Sequence, residues 1–318
     1  MSSKKPVLVS GIKPTGDLHI GNYFGAMRQQ VSLFQSGEYD CYIFVADYHA
    51  LNFIQNREEM QKRINEVVCG YIAAGLDPEK MTLFKQSDVP AHTELAWIFD
   101  TITTMPYLMR AHAFKDAEAK GNEVSVGTFN YPILMAADIL LYDADIVPVG
   151  QDQKQHIEYA RDTAEKFNRI FGETFTLPKE HIGSDVAVVT GTDGQKMSKS
   201  YHNTIPLFAE KEEIAKAVMG IVTDSSSDVP ENVYKLHKLF KSETELAPLY
   251  EEGRGKYKLL KEALIEDIEA FIAPMREKYL SLLNDPSLIA HVLKEGKERA
   301  REVTEEKMHR VRKAIGVA

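Results

Sequence analysis

The chain of 318 residues has only two cysteines, Cys41 and Cys69, and neither has CxxC spacing. A disulfide scaffold is therefore not expected, and a four-cysteine metal or iron–sulfur site cannot be built. No apolar run approaches the roughly 18 residues that a membrane span needs, and the short polar N-terminus lacks the pattern of a secretory signal. These absences predict a cytoplasmic protein with no membrane partner.

The sequence also lacks an excess of positive charge: 38 basic against 47 acidic residues give a net charge of −9. This argues against nonspecific coating of nucleic acid, which depends on phosphate neutralisation, but a local basic patch can still bind a specific partner. One patch lies near the end, at Lys294, Lys297, Arg299, Arg301, Lys307, Arg310, Arg312 and Lys313. Glutamates are interleaved with these cations, so the pattern favours a solvated helix face.

Short apolar runs alternate with helical patterns in the first half of the chain. Buried strands are predicted at 7–10, 41–47, 81–86 and 144–150, and helices at 22–36, 58–74, 90–104 and 153–170. This alternation predicts an α/β fold with a parallel sheet. Ligands bind such sheets beyond the carboxyl ends of the strands.

The pattern changes after Pro206. From there to the end only amphipathic helical segments are predicted, separated by turn signals at 223–232 and 284–287. The last, from about 291 to 315, is one long helix of mixed charge. A parallel-sheet domain followed by an all-helical part is therefore expected.

The segment SGIKPTGDLHIGNY (10–23) follows the first predicted strand and opens a helix. It does not match GxGxxG, and Asp17 stands where a Walker loop requires lysine. A Pro-Thr-Gly turn before a helix would present free backbone N–H groups to a phosphate, and Gly21 would let a nucleotide base approach the backbone. The alternative is a strand–turn–helix whose glycines serve only tight packing.

A second segment, TGTDGQKMSKSYHN (190–203), carries Lys196 and Lys199 three residues apart, with serines around them and glycines before them. This composition suits a loop that clamps polyphosphate, because lysine acts as a strong point charge. An ordinary solvated loop is the alternative.

Together the two segments resemble the signatures of the class I aminoacyl-tRNA synthetases. TGDLHIGN resembles the HIGH motif, and KMSKS matches the second signature letter for letter. We call residues 10–23 the HIGH-like segment and residues 190–203 the KMSKS loop. Within the class the resemblance is to the tryptophanyl-tRNA synthetases; it covers nearly the whole chain and is clearest in YPILMAADILLYDADIVPVGQDQKQHIEYARD (131–162).

Part of that stretch also indicates a pocket on physical grounds. Tyr131, Met135 and Asp138 are spaced i, i+4 and i+7, so a helix places them on one face. A hydroxyl, a polarizable thioether and a carboxylate suit a flat ring that bears one polar donor, such as indole. Core packing is the alternative for Tyr131 and Met135. Asp138 stands in an apolar run, where a charge is unfavourable unless it is paired or hydrogen-bonded.

The resemblance implies a set of site residues. The ATP site would comprise Lys13, Thr15, Gly16, His19, Gly21, Asn22, Gly150, Asp152, Lys196, Met197, Ser198 and Lys199. The tryptophan site would comprise Val9, His49, Tyr131, Met135, Asp138, Val147, Val149 and Gln153. The residues expected to act in catalysis are His19, Lys115, Lys196 and Lys199. No protein metal site is expected, since Mg²⁺ would be held mainly through the ATP phosphates and water.

Three positions depart from the family pattern: family members often carry an aromatic residue at Val9, glutamine at Lys13 and lysine at Ala117. Asp152 also has an alternative role as a helix N-cap, and His49 one as a structural histidine.

The resemblance further implies a Rossmann-type catalytic domain (1–206), a helical anticodon-side domain (207–291) and a C-terminal helix (292–318) that packs back on the first. The expected activity is ATP-dependent joining of L-tryptophan to tRNA(Trp) by a homodimer. The alternatives are a tyrosyl enzyme, in which Asp138 would bind a phenol, another nucleotidylyltransferase with a HIGH-like motif, and a non-catalytic paralogue.

Overall fold

The computed structural model describes residues 5–14, 16–111, 114–115, 123–150, 154–181, 188–223 and 228–318. Its centre is a parallel sheet of five strands: β1 (Val7–Ile12), β2 (Asp40–Val45), β3 (Thr82–Lys85), β4 (Ile146–Pro148) and β5 (Lys179–His181). Their order across the sheet is β3-β2-β1-β4-β5. The chain moves outward from β1 to β3 and then returns to the other side of β1, so the switch point lies between β1 and β4.

Helices connect and follow the strands. In the α/β part they are α1 (Ile20–Asn22), which continues through a π-helical turn at Tyr23–Met27 into α2 (Arg28–Gln35), then α3 (Asp47–Ala50), α4 (Arg57–Ala73), α5 (Ala91–Ile102), α6 (Met105–Leu108), α7 (Val126–Leu140) and α8 (Lys154–Phe171). Beyond Pro206 follow α9 (Lys211–Met219), α10 (Glu231–His237), α11 (Glu243–Glu252), α12 (Tyr257–Leu283) and α13 (Pro286–Ile315).

The inner strands are buried on both faces, which explains why they read as continuous apolar runs. Side chains alternate along each strand, so Leu8 and Ile43 join a core on one face of the sheet, while Val9 and Phe44 join a core on the other. The first core extends into α9–α12, and the second includes residues of α5, α7, α8 and the end of α13. Both cores therefore hold helices against the sheet.

The predicted fold class is confirmed. Each of the four predicted strands and four predicted helices is present within a few residues of its expected bounds. Strand β5 was missed because its sequence, Lys-Glu-His, is short and polar, and none of its three residues is buried. In residues 207–223 and 228–318 the described elements are helices. None of the helices in the described ranges is long and apolar enough to cross a bilayer.

The last helix, α13, lies across strand β3, where Gly296 contacts the backbone of Leu83 so closely that a Cβ atom would overlap it. The prediction of a solvated face is wrong for part of this helix. Lys307 is 1 % exposed, and its Nζ donates to Asp143 Oδ1 at 2.5 Å. Arg312 forms two 2.7 Å hydrogen bonds to Glu94 of α5. These cations attach the helix to the α/β part.

Candidate active site

The fold brings the two signature segments together at the start of α1. Residues that follow the KMSKS loop run alongside the HIGH-like segment: Ile20 N donates to Ile205 O at 2.9 Å, and Leu207 N donates to Leu18 O at 2.9 Å. At the helix start, Asn22 Oδ1 accepts from the backbone N–H of His19 at 3.1 Å. The two segments are 180 residues apart in sequence, yet a short backbone ladder fixes their relation.

Side chains of one segment fill space that glycines of the other leave open. Gly21 N donates to Met197 Sδ at 3.2 Å, and a Cβ atom on Gly21 would lie 2.9 Å from His19 Nδ1 and 3.1 Å from Met197 Cβ. Gly16 has a φ of +64° and directly faces the Lys199 ammonium group, which a Cβ there would displace. The glycines therefore pack tightly at these positions, as the alternative interpretation expects, and their role in binding a nucleotide stays a prediction.

His19 is buried between these glycines and the KMSKS loop. Its Nδ1 has no hydrogen-bond partner among the described residues. Burial, assisted by the nearby Lys199 charge, lowers the pKa of His19 to about 4. The imidazole is therefore neutral at pH 7, with one ring nitrogen unsatisfied, as expected of a side chain that meets a ligand.

Lys199 provides positive charge at the mouth of this region. Much of its side chain is exposed, yet partial desolvation lowers its pKa, while the Asp17 carboxylate opposes that effect. Asp17 is itself paired with Arg63 of α4 at 2.5 Å. A cavity of about 360 Å³ opens here, lined by Asp17, Leu18, His19, Glu66, Lys199, Thr204, Pro206, Phe208, Ala209, Glu213 and Tyr279.

A second cluster surrounds Asp138 on α7. The helix carries Tyr131, Met135 and Asp138 as predicted from their spacing. Asp138 is 1 % exposed; its Oδ2 accepts from His49 Nε2 at 2.8 Å, and its Oδ1 accepts from Gln86 Nε2 at 2.7 Å. The prediction that this carboxylate must be hydrogen-bonded is therefore confirmed.

His92 of α5 completes the cluster. Its Nδ1 lies 2.6 Å from Asp138 Oδ1, and its Nε2 lies 2.9 Å from the Tyr142 hydroxyl. Burial alone would raise the pKa of Asp138, but hydrogen bonds from His49 and His92 outweigh it and lower the pKa to about 2. The carboxylate therefore stays ionised in an otherwise apolar surrounding.

Sequence reasoning missed His92, Gln86 and Tyr142. One signal was available for two of them: Gln86 directly follows the strand β3, and His92 lies at the start of the next helix. Both therefore occupy the carboxyl end of a parallel strand, where ligand-binding residues concentrate.

The structure also positions the other predicted residues. The Tyr131 hydroxyl lies 3.2 Å from His156 Nε2, and its ring packs edge-on against the His49 ring at a centroid distance of 6.2 Å. Val9 and Val147 flank the switch point and belong to one core. The remaining placed residues are Val149, whose N donates to His181 O, half-buried Gly150 and Ser198, and exposed Lys13 and Lys196.

Lys115 stands apart. Its side chain is exposed, and no hydrogen bond or ion pair in the described ranges joins it to another predicted site residue. Thr15, Asp152 and Gln153, together with the departure at Ala117, lie outside the described residues.

Comparison with known proteins agrees with this geometry. The family model described as tRNA synthetases class I (W and Y) matches residues 1–281. A tryptophan–tRNA ligase of Fusobacterium nucleatum is 45 % identical, with 97 % of each chain covered, and one of Rhodopirellula baltica is 45 % identical, with 98 % of this chain and 99 % of the relative covered.

Among solved structures, the tryptophanyl-tRNA synthetase of Campylobacter jejuni, crystallised with ADP and tryptophan, superposes with a TM-score of 0.91 at 43 % identity, covering 97 % of this chain and 99 % of that one. These matches extend over both signature segments, the Asp138 cluster and the helical part alike. The chain belongs to the class I tRNA synthetases for tryptophan and tyrosine, and within them to the tryptophan–tRNA ligases.

Proposed function

We propose that this chain activates L-tryptophan with ATP to give tryptophanyl-adenylate and pyrophosphate, and then transfers the tryptophanyl group to tRNA(Trp), releasing AMP. The observation that supports this proposal most directly is the packing of the KMSKS loop on the HIGH-like segment, seen in the Gly21–Met197 contact. Near full-length similarity to tryptophan–tRNA ligases supports the amino acid.

For the amino-acid site we propose that Asp138 accepts the indole N–H. A carboxylate offers about four acceptor positions, and hydrogen bonds among the described residues use three: two on Oδ1 and one on Oδ2. The open position is therefore on Oδ2, beside His49. Tyr131, with Gln153, would bind the ammonium group. Val9, Met135, Val147 and Val149 would contact the ring.

For the ATP site we propose that the segment at residues 13–16 and the start of α1 receive the nucleotide. His19, Gly21, Asn22 and Gly150 would line it, and Asp152 would hold the ribose. Lys196 and Lys199, with Met197 and Ser198 between them, would stabilise the leaving pyrophosphate, and by family resemblance Lys115 would contact it as well. The neutral His19 imidazole supports the assignment, because it can donate a hydrogen bond to a phosphate oxygen.

The activation step requires no general base. The tryptophan carboxylate is already ionised at neutral pH and attacks the α-phosphorus, forming the C–O–P linkage as the bond to pyrophosphate breaks. The protein positions the reactants and stabilises charge. Mg²⁺ would enter with the ATP phosphates and be held mainly through those phosphates and water.

We further propose the domain division 1–206, 207–291 and 292–318, although α13 begins at Pro286, before the last boundary. A homodimer and a cytoplasmic location complete the proposal; both rest on family resemblance.

Pyrophosphate exchange with each of the twenty amino acids tests the function. Exchange should require L-tryptophan and Mg²⁺; stronger exchange with tyrosine would overturn the tryptophan assignment in favour of the tyrosyl alternative. Lys196→Ala and Lys199→Ala should slow adenylate formation in single turnovers far more than they weaken tryptophan binding, since their contacts form mainly in the transition state. Lys278→Ala, at an exposed position on α12, is the matched control and should change neither.

A further inference from the structure

The side chain of Asn203, the last residue of the KMSKS loop, hydrogen-bonds to the backbone of that loop. Although it is an amide in a loop, it is only 1 % exposed. Its Oδ1 accepts from Ser198 N at 2.7 Å, and its Nδ2 donates to Lys196 O at 3.0 Å and to Asp193 Oδ1 at 2.7 Å. Only this orientation of the amide matches one donor and two acceptors, so the neighbours fix it.

The loop backbone is arranged around this side chain. Thr192 N donates to Asn203 O at 3.0 Å, and Gly191 faces the Asn203 amide so closely that a Cβ atom would overlap it. His202, with a φ of +54°, turns the chain immediately before Asn203. The amide therefore joins both ends of the segment that carries the two lysines.

We propose that Asn203 is a positioning residue for the reaction: it holds the backbone on both sides of Met197, and so sets where Lys196 and Lys199 meet the pyrophosphate. The proposal rests on the proposed function. Asn203 touches no reactant itself and acts through Lys196 and Ser198. Both of these residues are bonded to it through backbone atoms, so their side chains remain available to the substrate.

The physical reason is the cost of ordering a loop. Without its tether the segment samples many backbone conformations, and those must be lost again when the lysines reach the transition state. Removal of the Asn203 tether should therefore lower the rate of adenylate formation. Tryptophan binding should be spared, because the Asp138 cluster makes no contact with the loop through the hydrogen bonds of the described residues.

Three variants separate positioning from other effects. Asn203→Ala removes every side-chain contact without adding charge. Asn203→Asp keeps an acceptor for Ser198 N, but places a carboxylate against Lys196 O and the Asp193 carboxylate. Asp193→Asn with Asn203→Asp removes the repulsion between the two carboxylates and returns the net charge to that of the starting protein. Because Asp193 Oδ1 also accepts from Gln195 N at 2.9 Å, the new amide can serve only one of these two partners, and recovery should be partial.

Adenylate formation should be measured in single turnovers, tryptophan affinity by equilibrium binding, and stability by thermal melting. Asn203→Ala and Asn203→Asp should each slow the reaction roughly tenfold or more, as expected for two or three lost hydrogen bonds, with tryptophan Kd within about twofold. The double variant should be several-fold faster than Asn203→Asp. Coupling of this kind is what a double-mutant cycle detects.

Asn168→Asp is the matched control, because the Asn168 amide, like that of Asn203, bonds to nearby backbone: it accepts from Thr174 N and Phe175 N and donates to the Phe175 carbonyl, but at the end of α8. It should lower the melting temperature and leave the rate unchanged. The proposal is overturned if Asn203→Ala behaves like this control, if the double variant is no faster than Asn203→Asp, or if rate and tryptophan affinity fall together. Failure of the unsubstituted protein to exchange pyrophosphate with tryptophan would instead refute the proposed function.

Discussion

Replacing Asp138 by asparagine tests the proposed indole contact most directly, because the surrounding donors dictate how the amide must sit. Gln86 Nε2 and His92 Nδ1 both point at Oδ1, and Gln86 is fixed by the Tyr48 N–H that its own Oε1 accepts. The amide oxygen must therefore take the Oδ1 place, and its NH₂ group must replace Oδ2. His49 can change tautomer to accept from it, but the indole N–H would then face another donor.

The free-energy cost of Asp138→Asn for tryptophan activation has two parts. The charged hydrogen bond to the indole is worth about 1.5–3 kcal/mol, and a buried donor without an acceptor costs about 1–3 kcal/mol more. At about 1.4 kcal/mol per tenfold, kcat/KM for tryptophan should fall by roughly a hundredfold or more. The ratio of tryptophan to phenylalanine activation should fall with it, because phenylalanine has no donor to lose.

The free energy of unfolding should fall as well in Asp138→Asn, and the direction of this change follows from the pKa of Asp138. The folded pKa of Asp138 lies at about 2 against an ordinary 3.8, so its ionisation stabilises the fold by about 2 kcal/mol above pH 4. That contribution disappears as the pH falls from 4 towards 2. Asp138→Asn should therefore lower the melting temperature at pH 7. It should also make the free energy of unfolding depend less on pH between 4 and 2.

Asp267→Asn is the matched control. In the helical part, Asp267 accepts from the buried His237 at 2.7 Å, as Asp138 accepts from its histidines. Its loss should lower stability while the ratio of tryptophan to phenylalanine activation stays constant. If Asp138→Asn gave the same pattern as Asp267→Asn, the carboxylate would be structural and the recognition argument would be refuted.

Three further results are expected. Lys307→Met should destabilise the protein by about 2 kcal/mol in urea unfolding, since Asp143 loses its buried partner; an unchanged midpoint would contradict the attachment of α13. Gly296→Ala should cost about 3 kcal/mol, because the new methyl group meets the Leu83 carbonyl, whereas a stable variant would show that α13 can move off the sheet. His19 should titrate by NMR near pH 4, so its contribution to stability falls as the pH drops from 6.5 to 4; a midpoint near 6.5 would disprove its burial.

The sequence pattern alone was sufficient to predict the elements that have apolar runs or regular helical spacing. Most residues of strands β1 to β3 are buried and apolar, so the runs stand out. The spacing of Tyr131, Met135 and Asp138 depends only on helical geometry, which the structure reproduces. Strand β5 had no such signal, because its existence depends on pairing with β4, a neighbour that sequence does not reveal.

The C-terminal helix shows a second limit. Its mixed charges are typical of a solvated face, and several of its cations are indeed exposed, but Lys307 and Arg312 contact the α/β part. Their partners, Asp143 and Glu94, lie 164 and 218 residues away. Charge pattern along one helix carries no information about a surface that distant residues build.

The sequence by itself determined the chemical inventory of this protein: two signature segments, a helix with a carboxylate in an apolar run, and an α/β half followed by helices. Only the tertiary structure decided which groups act on one another. Asp138 meets Gln86 and His92 from 52 and 46 residues away, and Asn203 fixes a loop in which its amide had no evident role. Residue type and spacing are local properties, whereas hydrogen-bond partners and pKa values depend on how distant elements pack, because burial and nearby charge determine which ionisation state is stable.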